Sequence, residues 1–559
     1  MKNTECGDMS AQPIYGVLYR RHNIPRTLVA GTIQVFWVEV ENCGTKTWVR
    51  QEPQGHNVDL VLYLDGELHA GATLPSEAVN PGDSAILSVQ IRVPDKIGPH
   101  VVSVDMVEQN VTYFADQGVD RLEVPLQVVR KSFTAGQTLG AQALRQNESF
   151  FWPTEGVTVG TDGFSYPVFT ERAEGCFITD VDGRCYVDYV MGWGSAWLGY
   201  AHPAIQNAIR KALDSAAIPT LAHRLEMEVT GILCDEIPCA EKVLFGKNGS
   251  DVCTAAVRLA RAATGRRLIL VSGYHGWQDW YLQSGGFASP DAVPEIPDCV
   301  IHFRFNDAEH LEELLKQYKA QVAAVMLEPG AAIESLNGPV HNANEKFLSL
   351  AADLTRREGA LLIFDEVFTG FRYPGGSVQK ALDITPDLAC FGKALGGGMP
   401  LSALVGSSSA FSGLGKIFYG PSFRGEVYSL AAAHAALNIY STTDVVSQVW
   451  SFGESLRQGL NYCCRDAGVP AEVVGPPIRM VLSFREDDPQ RIILMRTLLQ
   501  QELLKAYIIT YRGFMLPSLA HDEAVLKQTL EAFSEPLKVL AEAIRNDDFV
   551  SRLQVPPMA

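Results

Sequence analysis

The sequence predicts two differently built regions: an antiparallel β-sandwich over about the first 130 residues, then a larger α/β unit around a mostly parallel sheet. Three observations predict this. Apolar residues recur at every second position in the first region, and collect into short unbroken runs in the second. Segments with helical spacing lie before or between those runs.

In the first region Val58, Leu60, Leu62 and Leu64 alternate with Asp59, Val61, Tyr63 and Asp65. The pattern repeats at Leu87, Val89, Ile91 and Val93, at Val102, Val104 and Met106, and at Leu122, Val124, Leu126 and Val128. Asn80-Pro81-Gly82-Asp83 and Gly98-Pro99 read as the turns between them. Strands of period two at such intervals bury one face each, which is the pattern of a sandwich. Asn42, Gly44 and Trp48 form an N-x-G-x-x-x-W pattern that resembles some immunoglobulin-like modules. Lys131 to about Ser149 is polar, with Gly136 and Gly140, and reads as a linker. Beyond it, strands are expected at Val322–Leu327, Ala360–Phe364 and Leu388–Phe391, and a helix carries Ala255, Ala256, Leu259, Ala260 and Ala263 on one face.

A chain of 559 residues allows three to four folding units. Its 47% hydrophobic and 20% charged residues suit a soluble globular protein. A formal net charge of -18 argues against nucleic acid or an anionic membrane as partner. No apolar run approaches the ~20 residues of a membrane helix, and Met1 to Ala11 lacks the apolar core of a signal peptide. A cytoplasmic location is expected. The 11 cysteines show no disulfide or zinc spacing, so reduced thiols are expected.

Four fragments carry chemistry. Ile363-Phe364-Asp365-Glu366-Val367 puts an acid at the end of an apolar strand, where α/β folds bind ligands, although such an acid can equally cap the next helix. Phe391-Gly392-Lys393 follows another apolar run, and apolar surroundings depress a lysine's pKa until its free amine can attack an aldehyde. A surface lysine beside the flexible Gly396-Gly397-Gly398 turn is the plainer alternative. Gly246 to Asp251 opens a helix with amides and a hydroxyl suited to a phosphate, and equally suits an ordinary capped helix. Tyr274-His275-Gly276-Trp277 could stack on a planar ring or fill a hydrophobic loop.

In this order, from about Glu148 to about Leu540, these fragments resemble the class III aminotransferases, notably their glutamate-1-semialdehyde aminomutase-like branch. The resemblance extends to Ala173-Glu174-Gly175, Asp180-Val181-Asp182-Gly183, Gly199-Tyr200-Ala201-His202-Pro203, Arg258-Leu259-Ala260-Arg261, Leu327-Glu328-Pro329, Gly370-Phe371-Arg372 and Gly513 to His521. It implies a fold-type I transferase dependent on pyridoxal 5'-phosphate, with a large domain over 150–440 and a smaller α+β C-terminal domain over 441–559. It implies Lys393 as the lysine of the internal aldimine and Asp365 as partner of the pyridine nitrogen. Gly249 and Ser250 match phosphate contacts, Tyr274 and His275 the ring-stacking segment, and Val367 the opposite ring face. Ser422 matches a hydroxyl serving the neighbouring subunit's phosphate, which implies a homodimer with shared sites.

Substrate contacts are implied for Trp193, Ser195, Glu328 and Arg424, although Arg424 stands where many relatives have glycine and also fits an exposed structural role. The semialdehyde mutases carry an arginine in a Pro-Val-Arg segment upstream; here Thr158 lies near that position. The expected reaction is amino transfer between a small amino donor and a carbonyl acceptor. An intramolecular aminomutase is the alternative, and a non-catalytic scaffold is the reading from another class. The sandwich is expected to recruit a carrier protein or glycan-linked substrate, or to serve the dimer structurally.

Overall fold

The computed structural model describes residues 13–129, 169–282, 299–333, 340–554 and 557, apart from 23, 25–26, 30–32, 51–56, 76, 95 and 216. The linker expected over Lys131–Ser149, the segment Met1 to Ala11 and Thr158 lie outside these residues. The chain divides into two compact units: Met1–Trp152 with Gly160–Arg172 and Phe177–Tyr186, and Pro153–Val159 with Ala173–Cys176 and Val187–Ala559.

In the first unit Ile33–Asn42 pairs antiparallel with Val17–His22 and Ser84–Arg92. A second sheet runs Thr27–Val29, Leu122–Val129, Gly98–Glu108, Val58–Leu64, Glu67–Thr73, antiparallel except at its first pair. Alternation sends Phe36, Val38, Leu87 and Val89 of one sheet and Leu60, Leu62, Val102 and Val104 of the other into one core. Each such side chain contributes roughly 1.5–3 kcal/mol by burial. Asn42 donates to the carbonyls of Lys46 and Val79 and accepts from Gly44 N–H, tying the turn that leads to buried Trp48.

Gly98-Pro99 is a correction: these residues begin a strand. Pairing with Val58–Leu64 reaches only to Val102, so the proline sits where the ladder is already one-sided.

The second unit holds a seven-stranded sheet in the order Lys242–Gly246, Ser402–Gly406, Leu388–Phe391, Leu361–Glu366, Val322–Leu327, Leu268–Ser272, Val300–His302. Six strands run one way and Ser402–Gly406 runs against both neighbours. The sheet, expected to be mostly parallel, is mixed through this one strand. The chain returns from Phe391 to Ser402 in ten residues, too few for the crossover that a parallel neighbour requires. The helix Gly249–Thr264 buries Ala255, Ala256, Leu259 and Ala260, whereas Ala263, near its end, is exposed.

Ala471–Val474, Met480–Phe484 and Phe514–Met515 form a small antiparallel sheet with the long helices Val445–Ala467, Pro489–Lys505 and Glu523–Asn546 around it in sequence. Among the described residues no helix is long and apolar enough to cross a membrane.

Candidate active site

The strands ending at Gly246, Ser272, Leu327, Glu366 and Phe391 all deliver residues to one cavity of about 400 Å3. That volume falls within the ~300–1,000 Å3 usual for small-molecule sites.

After Gly246 the helix Gly249–Thr264 is started by Asp251, whose carboxylate accepts from Asn248 N–H at 2.9 Å and Lys247 N–H at 3.0 Å. First-turn N–H groups lack intrahelical partners, so Gly249 and Ser250 offer donors and the positive helix end to the cavity. Backbone is packed closely here. A Cβ on Gly249 would approach Val367 Cγ1 to 2.8 Å, and one on Gly276 would reach Ser250 Oγ at 2.3 Å. Ser250 Oγ accepts from Trp277 N–H at 3.3 Å, which leaves its own proton for a ligand.

The loop after Ser272 carries Tyr274 and His275. His275 is buried, with Nδ1 2.8 Å from Asp365 Oδ2 and Nε2 3.2 Å from the Ser272 carbonyl. A carbonyl only accepts, so Nε2 carries a proton in this arrangement. Asp365 also accepts from Val367 N–H at 3.1 Å and from the Cys253 thiol at 3.5 Å. Strand alternation sends Asp365 and Glu366 to opposite faces. Asp365 lines the cavity, while Glu366 is fully buried and accepts from Val378 N–H, the Thr369 hydroxyl and the Gln379 amide. Burial raises the Glu366 carboxyl to about 7.

Lys393 follows the strand Leu388–Phe391, with a φ of 45° at the start of a single 3-10 turn. Its Nζ lies 5.0 Å from the centre of the Phe368 ring. Burial, reinforced by the nearby Arg479 and Arg372 guanidiniums, pushes its amine down to about 8. A depressed pKa raises the fraction of nucleophilic free amine near neutral pH.

The profile of the class-III aminotransferases matches residues 159–535. The chain belongs to the class-III aminotransferase family. It is 31% identical over 398 residues to glutamate-1-semialdehyde 2,1-aminomutase of Rhodopirellula baltica, an alignment covering 67% of this chain and 90% of the relative. The structure of FumI from Sphingopyxis sp. MTA144, in its PLP internal aldimine form, is 28% identical with a TM-score of 0.65, covering 75% of this chain and 96% of that one. An ω-transaminase from Sphaerobacter thermophilus is 25% identical with a TM-score of 0.63, covering 72% and 98%. This aminotransferase is therefore a fold-type I enzyme whose cofactor is pyridoxal 5'-phosphate.

The cavity of the aminotransferase suits that cofactor. It joins an amine of depressed pKa, a buried carboxylate, a helix N-terminus packed closely enough that a Cβ would block it, and the apolar walls of Val367, Phe368 and Leu401. Among the described residues no cluster of His, Cys, Asp and Glu could hold a metal.

Of the residues expected from sequence, Gly249, Ser250, Tyr274, His275, Asp365, Val367, Lys393, Ser195 and Glu328 line this cavity. Trp193 does not: it is exposed and packs edge-on to Tyr511 with ring centres 4.5 Å apart. Ser422 and Arg424 are exposed in the loop before the helix Val427–Thr442, away from this chain's own cavity. Sequence reasoning missed Phe368 and Arg479, which also line it. Arg479 had a signal, as a lone charge in the apolar stretch Ile478-Arg479-Met480-Val481-Leu482.

Proposed function

We propose that this enzyme transfers an amino group between an amino donor and a keto or aldehyde compound, with Lys393 carrying the cofactor. The observation behind this reading is that Lys393, Asp365 and the N-terminus of Gly249–Thr264 line the same cavity. Pyridoxal phosphate, when bound, supplies the electron sink for a developing carbanion. Asp365, oriented by His275, holds a proton on the ring nitrogen by its negative charge. Gly249 and Ser250 would hold the phosphate, and Tyr274 and Val367 would contact the ring. Lys393 Nζ moves the proton at the substrate carbon that bears nitrogen. Phe368 and Leu401 keep water from that amine. In Lys393→Ala, turnover and the visible band of lysine-bound cofactor should both vanish; full activity would end the proposal.

The names of the curated relatives support a second reading, an intramolecular aminomutase. Product formation that needs no added keto acceptor would select it.

A homodimer is supported by Phe418, Phe423 and Leu221, large apolar side chains exposed in the second unit. In that assembly Ser422 serves the partner's phosphate site. Ser422→Ala then weakens cofactor binding, and unchanged affinity would remove Ser422 from the site. For the first unit, its separate core supports recruitment of a carrier protein or glycan-linked substrate. Deleting residues 1–130 should impair the bound substrate more than the free one; equal activity on both would defeat the idea.

A further inference from the structure

We propose that Lys247 supplies a counter-charge to the cofactor's phosphate and is held in place for that task by Glu426. This rests on the reading of Gly249 and Ser250 as the phosphate-holding residues. The argument starts from the short connection between a strand and a helix. The strand Lys242–Gly246 ends just before Lys247, and the helix Gly249–Thr264 begins two residues after it. Both residues of that connection are tied down. Lys247 N–H donates to Asp251 Oδ2 at 3.0 Å, and the Asn248 carbonyl accepts from Ser402 Oγ at 2.8 Å. A fixed backbone therefore sets where the lysine side chain starts.

That side chain is 14% exposed and lines the cavity with Gly249 and Ser250. Burying an ammonium is costly unless it is paired and hydrogen-bonded. Nζ donates to Glu426 Oε2 at 2.9 Å, and among the described residues this is its one acceptor. An ammonium has three protons, so two remain for a ligand. Glu426 has little left to accept them. Its oxygens already take Tyr428 N–H, Ser429 N–H and the Ser429 hydroxyl, as the cap of the helix Val427–Thr442.

Charge decides what the ligand is. A phosphate monoester carries roughly −1.5 to −2 near neutral pH, whereas a helix N-terminus offers about +0.5. The start of Gly249–Thr264 thus leaves most of a phosphate's charge unmatched, and Lys247 adds a full positive charge beside it. Glu426 does not cancel that charge outright, because its own is shared with the helix end that it caps. The other lysine and the arginine of the cavity stand at Phe368, with Lys393 Nζ 5.0 Å and the Arg479 guanidinium 4.6 Å from its ring centre. A compact ammonium with rotatable protons suits the oxygens of a phosphate. Glu426 is then a positioning residue, acting only through Lys247.

The test titrates inorganic phosphate into the full-length apoprotein by calorimetry, and into the holoenzyme alongside it. The apoprotein should bind phosphate, and Lys247→Met should bind it about tenfold or more weakly, the worth of one charge-assisted hydrogen bond. Saturation with pyridoxal 5'-phosphate should abolish that binding. Phosphate binding to the holoenzyme that depends on Lys247 would instead place a phosphorylated substrate there, and overturns the assignment. Pyridoxal 5'-phosphate and pyridoxal, which lacks the phosphate, are then compared through the visible lysine-bound band. Lys247→Met should weaken the first about tenfold or more and leave the second unchanged. Equal weakening of both, unchanged affinity for the phosphorylated form, or no phosphate binding by the wild-type apoprotein also overturns it. Glu426→Gln should weaken phosphate binding in the wild type and change nothing further in Lys247→Met; additive losses would end its role as a positioning residue. Lys247→Met/Glu426→Gln removes both buried charges together and guards against a variant that fails for want of a partner. Absence of the visible band from the wild type would sink the reading of Lys393, and phosphate binding to the apoprotein would still decide Lys247.

Discussion

Lys393 is held in a left-handed conformation, within 5.0 Å of an aromatic ring centre and close to two guanidiniums. Its amine ordinarily titrates at 10.5 and here at about 8. Between these values the unfolded apo chain binds a proton that the folded chain has released, so stability rises with pH across that window. Below pH 8 the folded apoprotein carries the charged amine at a cost of up to ~3 kcal/mol, since one pKa unit is worth ~1.4 kcal/mol. Lys393→Met should therefore make the apoprotein more stable than wild type at pH 7, with the advantage shrinking from pH 8 to 10.5. Urea unfolding at a series of pH values measures it. A pH-independent difference would show that neither burial nor the arginines act on this amine.

At the scale of the element, Gly249, Asp365 and Lys393 stand at the carboxyl end of a strand or the start of a helix, whereas Arg479 stands just before its strand. Gly276 shows how tightly these ends fit, because its φ of 106° and its approach to Ser250 both exclude a side chain. Gly276→Ala should push Ser250 off Trp277 N–H and weaken cofactor binding at least tenfold by fluorescence titration, with global stability falling less. Glu366 ties its strand end to the helix Val378–Leu382. Its carboxyl is raised from 4.5 to about 7, so the folded state keeps a proton that the unfolded state loses, and stability falls as pH rises through that interval. Glu366→Gln should abolish that slope between pH 5 and 7 in denaturant titrations; an unchanged slope would assign it to other groups. The apolar runs at Val322–Leu327 and Leu388–Phe391 were legible in the sequence because both faces of those strands are buried. Leu361–Glu366 extends past its expected end because two buried acids look like a terminus when read as charge alone. Arg479 stood out in the sequence only as a lone charge in an apolar stretch; the fold alone brings its turn to a cavity whose other lining residues lie 78 to 284 positions earlier.

For the whole molecule, two cores matter. The core of the first unit contains residues from Ile24 to Val128, and every cavity-lining residue belongs to the second unit. The change of period from two to mixed runs exposed this division in the sequence, since a sandwich and a covered sheet bury their residues at different spacings. Ligand binding stabilises only what it binds, by ~2.7 kcal/mol at a hundredfold excess over Kd. Calorimetry of the full-length protein should therefore resolve two transitions. Pyridoxal phosphate should raise the transition of the aminotransferase unit by several degrees and leave that of the sandwich in place. Lys393→Ala should reduce the shift without moving the sandwich transition. A single transition that moves as a whole would show that the two units unfold cooperatively, and cofactor occupancy would then govern the stability of the sandwich too.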